Sequence, residues 1–168
     1  MSDLSNREFL ELVLPKLRDG ESYVVAANEP KTADNAKGKR RHIPTKVGSL
    51  DGIFKEWERI ENKEKYNTFY RIGSVDTEAE KINVDAVRQL KTILLDIDVG
   101  KDSPDSYANK TIAKKSIDKF LQQFDKLPKP YIIDSGNGFH IYWPFEEPVD
   151  REIWMQLTSD FAEYLKDN

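Results

Sequence analysis

The sequence predicts an α+β fold. Three observations carry that expectation. Stretches with helical period and stretches of strand character follow one another in the order αβ, αβ, βαββα. One link between strands is long enough to be a crossover helix. Another is a tight glycine turn that makes a hairpin. A doubly wound parallel sheet has crossovers only, so mixing the two kinds of connection points to α+β.

The elements follow from local pattern. Ser5 and Glu8 have the spacing of a capping box, and Phe9, Leu10, Val13, Leu14 and Leu17 follow at helical period. Pro15 is expected to kink or end that helix. From Ser22, "SYVVAA" reads as a strand, and "KTADNAKGKRRHIPTKVG" reads as a loop. Leu50, Ile53, Phe54 and Trp57 form a helical stripe. "YNTFYRIGSV", from Tyr66, reads as one strand and "LKTILLDID" as another. Ala113, Ile117, Phe120, Leu121 and Phe124 mark a further helix, stopped by "LPKP". "YIIDSGNGFHIYW" reads as two strands around a tight glycine-containing turn. Asp150 is expected to cap a last helix with Ile153, Leu157, Phe161 and Leu165 on one face. The aromatics at helical spacing (Phe54, Trp57, Phe120, Phe124, Trp154 and Phe161) are read as core.

Composition narrows the class. At 168 residues the chain is one domain, or one with an appendage, and long enough to bury a real core. No apolar stretch approaches the roughly 20 residues of a membrane span. The opening "MSDLSNREFLELV" has no basic region followed by an apolar run, so it is not a secretion signal. The absence of cysteine excludes disulfides and thiolate metal sites and fits a cytoplasmic protein. A net charge of −4 argues against a protein that coats nucleic acid with its whole surface, but leaves room for a local basic groove.

The chemistry concentrates in "LLDIDVGKDSPDSY", Leu94 to Tyr107. Side chains alternate along a strand, so Ile93, Leu95, Ile97 and Val99 share one face and Leu94, Asp96 and Asp98 the other. The two carboxylates lie about 6–7 Å apart by strand rise. In a cleft such a pair repels until one takes a proton or a cation neutralises both. Hard oxygen ligands of this kind suit Mg²⁺ or Mn²⁺. A strand end with two solvated aspartates is the competing reading. A second signal is "DSGNGFHIYW". Gly136 and Gly138 permit a tight connection and close backbone approach. His140 and Tyr142 then face one way, and Phe139, Ile141 and Trp143 the other. His140 beside the turn suits a phosphate; a structural histidine after a hairpin is the alternative. A third is the basic run holding Lys37, Lys39, Arg40, Arg41 and Lys46, which suits a nucleic-acid backbone or a nucleotide, or else a solvated loop. His42 is read as incidental, and Arg71 as a further candidate for nucleotide contact.

The hydrophobic run into Asp96-x-Asp98, followed by Gly138-x-His140 in "SGNGFHIYWPF", resembles the first two motifs of the archaeo-eukaryotic primase superfamily, in particular the primase-polymerases of phages and mobile elements. The likeness covers most of the chain from Tyr23 onward. It implies a primase-polymerase core: an N-terminal αβ unit, residues 1–90, packed on an incomplete RNA-recognition-like antiparallel sheet, residues 91–168, with the active site in the cleft between them. It further implies that Asp96 and Asp98 hold catalytic Mg²⁺ or Mn²⁺, and that His140, with Gly138 and Ser135 in the same turn, contacts the triphosphate of an incoming nucleotide. The reaction implied is nucleotidyl transfer on a DNA template and primer. The partners implied are nucleoside triphosphates, DNA, and a helicase domain or protein. The family's third motif, an acid ending a later strand, has no counterpart among Glu146, Glu147, Asp150, Glu152, Asp160, Glu163 and Asp167. The expectation is a domain truncated before that motif. Completion by a second polypeptide, or a degenerate domain that only binds nucleotide or DNA, are the other readings, with Asp134 as a substitute ligand. "ILLDIDVG" also resembles the first motif of haloacid-dehalogenase-type phosphatases, with Asp96 as nucleophile and Asp98 as acid/base. That family wants the motif on an early strand of a parallel sheet.

Overall fold

A computed structural model describes residues 4–28, 42–62, 67–100, 106–124 and 126–167. Within them the chain is α+β, with four α-helices and an open antiparallel sheet of seven strands. It divides into two compact units, Met1–Lys91 with Glu146–Asn168, and Thr92–Phe145.

In the first unit, α1 (Asn6–Val13) begins at a complete capping box. The Ser5 hydroxyl accepts from the Glu8 N–H, and the Glu8 carboxylate accepts from the Ser5 N–H at 2.8 Å. The helix ends at Val13 with Leu14 as its extended C-cap, because Pro15 disfavours a helical residue before it and cannot continue the i→i−4 ladder, and Leu17 falls outside it. Leu10, Val13 and Leu14 are buried, as are Ile53 and Ile60 of α2 (Leu50–Glu61). Arg7 joins the two helices. Its guanidinium lies 5.2 Å over the Phe54 ring and pairs with Asp51.

The strand β1 (Glu21–Asn28) carries the fully buried Val24 and Val25. It pairs with β2 (His42–Val47) along one edge and with β3 (Asn67–Tyr70) and β4 (Gly73–Asp76) along the other. Two expectations change here. The segment read as a loop up to Gly48 ends in β2, with Pro44 opposite Ala26. β2 is the outermost strand, and proline within a sheet is tolerated on such an edge. The stretch from Tyr66 read as one strand is two. Val25 pairs with Tyr70 but Ser22 with Val75, two residues more than a continuous ladder allows. The surplus bulges at Arg71 and Ile72, with the Arg71 N–H still donating to the Val24 carbonyl at 3.0 Å. β4 then pairs with β5 (Val87–Asp98).

The last helix, α4 (Arg151–Asp167), departs further from expectation. Ile153 and Leu157, expected on a buried face, are 53% and 39% exposed, and Phe161 is half-buried. The side chain of Leu165 lies outside the described residues. Asp150 directly precedes the helix, at the position expected of its cap, and its carboxylate pairs with Arg18 at 2.8 Å.

In the second unit the end of β5 lies beside β7 (Gly138–Asp150), and β7 pairs with β6 (Tyr131–Asp134). The whole strand order is β2-β1-β4-β5-β7-β6, with β3 beside β1. The crossover helix α3 (Lys110–Gln123) starts at Asn109, whose side chain accepts from the Ile112 N–H at 3.0 Å. Ile117 and Phe120 of α3 line a cavity of about 130 Å³ with Leu95 and Ile97 of β5 and Ile141 of β7. Phe120 also meets the Trp143 ring at 6.4 Å, and the Trp143 indole N–H donates to the Pro128 carbonyl. The helix therefore covers the face that alternation assigns to Leu95, Ile97, Ile141 and Trp143, and leaves the other face to Asp96, Asp98 and His140. No helix among the described residues is long and apolar enough to cross a membrane.

Candidate active site

The site is built by two strands of the second unit. Asp96 stands on β5 with its side chain 64% exposed, and Asp98, two residues on, is half-buried. The strand end is pinned from both sides. The Tyr107 N–H donates to the Asp98 carbonyl at 3.0 Å, and the Gly100 N–H donates to Tyr107 at 2.8 Å, where Val99 and Tyr107 form an isolated parallel bridge. On the opposite edge the Val99 N–H donates to the Asn137 carbonyl at 3.0 Å. The aspartates thus sit where β5 is held by backbone bonds to two other segments.

The hairpin that delivers His140 has two different glycine requirements. Ser135 N–H donates to the Gly138 carbonyl at 3.1 Å, which leaves Gly136 and Asn137 as the two turn residues. Gly136 has φ +87°, the positive value that a primed hairpin turn needs at this position. At Gly138 space is the constraint. A Cβ there would collide with the Ile97 carbonyl oxygen and lie 3.4 Å from the Asp98 Cα. The missing side chain lets β7 lie against β5 at the aspartate pair.

Two residues further along β7, the His140 ring reaches Asp96. Nε2 lies 3.5 Å from Asp96 Oδ1, and the His140 side chain is 36% exposed. Tyr142, on the same strand face, has its hydroxyl 3.3 Å from His140 Nδ1. Residues from the first and second sequence signals therefore meet on one open strand face. Among the described residues, no group of three His, Cys, Asp or Glu side chains stands close enough together to hold a metal ion.

Other candidates fall elsewhere. Asp134 pairs with Phe139 in the β6–β7 ladder, whereas His140 pairs with Ile133, so Asp134 belongs to the opposite face of the hairpin from His140. Its carboxylate accepts from Lys110 Nζ at 2.6 and 2.8 Å and from the Gly136 N–H at 2.8 Å. The Lys110 hydrogen bond, and after it the Gly136 N–H, hold Asp134 below the usual carboxylate range. Ser135 is exposed in the turn. Arg71 belongs to the first unit and donates to the Ile82 carbonyl at 2.9 Å. Lys46 donates from Nζ to the carbonyls of Thr77 and Ala79, each at 2.6 Å. Lys37, Lys39, Arg40 and Arg41, and the side chain of His42, lie outside the described residues. A polar cavity of about 350 Å³ in the first unit, lined by Asp76, Glu80, Lys81, Asn83, Asp85 and Arg88 among others, holds none of the candidate residues.

Lys110 and Tyr107 also make contacts around the site, and the sequence pattern marks neither. Both act through contacts that no local pattern announces. Alternation places Tyr142 on the His140 face, but its hydrogen bond to the ring depends on rotamers.

Comparison of the chain with protein-family models, with curated proteins and with solved structures gives no match. The family likeness stands on the motif residues alone.

Proposed function

We propose that this chain carries the metal-binding and triphosphate-binding motifs of a nucleotidyltransferase of the archaeo-eukaryotic primase type. The observation behind the reading is the approach of His140 to Asp96 across adjacent strands, with Gly138 bare against the β5 backbone. Asp96 and Asp98 would hold Mg²⁺ or Mn²⁺ through carboxylate oxygens. Such an ion would neutralise the pair and polarise a phosphoryl oxygen for attack by a primer hydroxyl. His140 would donate an N–H to a non-bridging phosphate oxygen and orient the triphosphate. A DNA template, an associated helicase and a cytoplasmic setting belong to the same proposal. The antiparallel sheet weighs against the phosphatase alternative, which wants its aspartates on a parallel one.

The test is calorimetric titration of a nucleoside triphosphate into the chain with and without Mn²⁺. The reading predicts binding that requires Mn²⁺. It should weaken about tenfold or more in His140→Ala and in Asp96→Asn, the scale of a hydrogen bond or ion pair to a charged group. Binding absent under all conditions, or unchanged in both variants, would contradict it. With no counterpart to the family's third acid in the sequence, one other reading is a module that binds nucleotide without catalysis. That reading predicts binding that is indifferent to Mn²⁺ and to Asp96→Asn.

A further inference from the structure

Both nitrogens of the His140 ring have a neighbour, and the two neighbours differ in what they can offer. Nε2 faces the Asp96 carboxylate at 3.5 Å, and Nδ1 faces the Tyr142 hydroxyl at 3.3 Å. An ionised carboxylate only accepts hydrogen bonds, whereas a phenol hydroxyl donates or accepts. A neutral imidazole has one N–H and one bare nitrogen. With the proton on Nδ1, the Nε2 lone pair would point at a negative oxygen. With the proton on Nε2, the carboxylate attracts the N–H, and bare Nδ1 accepts from the Tyr142 O–H. Only the second arrangement suits both neighbours. Tyr142 is also the better fixed of the two rings on this face. It is 4% exposed and paired with Tyr131 in the β6–β7 ladder.

We propose that Tyr142 is a positioning residue for His140. Its hydroxyl holds the ring as the Nε2–H tautomer and aims a single N–H donor at the open face of β5. In the ligand-free chain that N–H points at Asp96. With Asp96 committed to a metal, it is released to a phosphate oxygen. The phosphate half of this proposal rests on the nucleotide reading above, and the tautomer half does not.

The chain has two histidines, so long-range ¹H–¹⁵N correlation on the labelled full chain at alkaline pH gives two imidazole patterns. His140→Gln identifies which belongs to His140. The expected wild-type pattern is Nε2–H alone. In Tyr142→Phe both nitrogens should move toward the averaged pattern of exchanging tautomers, and triphosphate affinity in Mn²⁺ should fall about two- to tenfold, the range for one neutral hydrogen bond. An Nδ1–H pattern in the wild-type spectrum overturns the proposal whether or not the variant folds. An unchanged single tautomer in folded Tyr142→Phe also overturns it. A tautomer shift in a chain that binds no triphosphate supports the hold of Tyr142 on the ring and overturns the nucleotide reading.

Discussion

Replacing Gly138 with alanine adds one methyl group where β7 leaves the hairpin and runs beside β5. The new Cβ would collide with the Ile97 carbonyl oxygen, lie 3.0 Å from the Ile97 carbonyl carbon and 3.4 Å from the Asp98 Cα. All three are backbone atoms of one strand, and none can swing aside as a side chain does. β7 must retreat, and the Asn137 carbonyl that accepts from Val99 N–H at 3.0 Å retreats with it. Overpacking of this kind costs about 1–3 kcal/mol. The lost backbone hydrogen bond adds about 1 kcal/mol. The expected destabilisation is therefore about 2–4 kcal/mol, or about 5–15 °C in Tm for a chain of this size. Gly136→Ala is the control, because it separates conformation from space. Gly136 has φ +87° with nothing within 4 Å of an added Cβ, so its cost is the left-handed backbone alone, about 1–2 kcal/mol. Urea unfolding of both variants is the assay, with the Asp96–His140 approach followed by amide shifts. Gly138→Ala as stable as wild type to within about 0.5 kcal/mol, or less costly than Gly136→Ala, would refute the steric argument.

Removing the α3 cap by Asn109→Ala should cost about 1 kcal/mol in urea unfolding, because the Ile112 N–H loses its acceptor; no measurable loss would contradict the capping role. Lys110→Met should lower stability in a pH-dependent way. The Asp134 pKa is depressed in the folded chain, first by the Lys110 hydrogen bond. Its stabilisation is therefore present above the unfolded carboxyl pKa of about 4 and is lost as pH falls through the lower folded value. The stability gap between wild type and Lys110→Met should close in acid, and a gap constant from neutral pH downward would contradict the assignment.

Several features were legible because a local pattern carries them. The capping box at Ser5 and Glu8, the stop at Pro15, the shared face of Leu95 and Ile97 on β5 and the glycine turn all depend on residues within a few positions of one another. The failures share a cause as well. β2 was hidden by Pro44 and its basic surroundings, since an edge strand draws its identity from its neighbour β1. The break between β3 and β4 is a matter of register against β1, which no single segment states. On α4, periodicity showed that Ile153 and Leu157 share a face, but what covers a face is decided by other elements. The site divides in the same way. Strand phase put Asp96 with Asp98, and His140 with Tyr142. That β5 and β7 are neighbours, which brings His140 to Asp96, is a property of strand order. The Lys110–Asp134 pair joins residues 24 positions apart and has no signature in either segment.

We propose that Asp96 and Asp98 hold a divalent cation beside His140. Titrating the ¹⁵N-labelled chain with Mn²⁺ locates any bound ion directly, because a paramagnetic centre broadens nearby resonances. The account predicts early, selective broadening of the Asp96 and Asp98 amides and the His140 ring, lost in Asp96→Asn. Broadening centred on other acids, such as Glu146 and Glu147 or Asp160 and Glu163, or a pattern unaltered by Asp96→Asn, would contradict it.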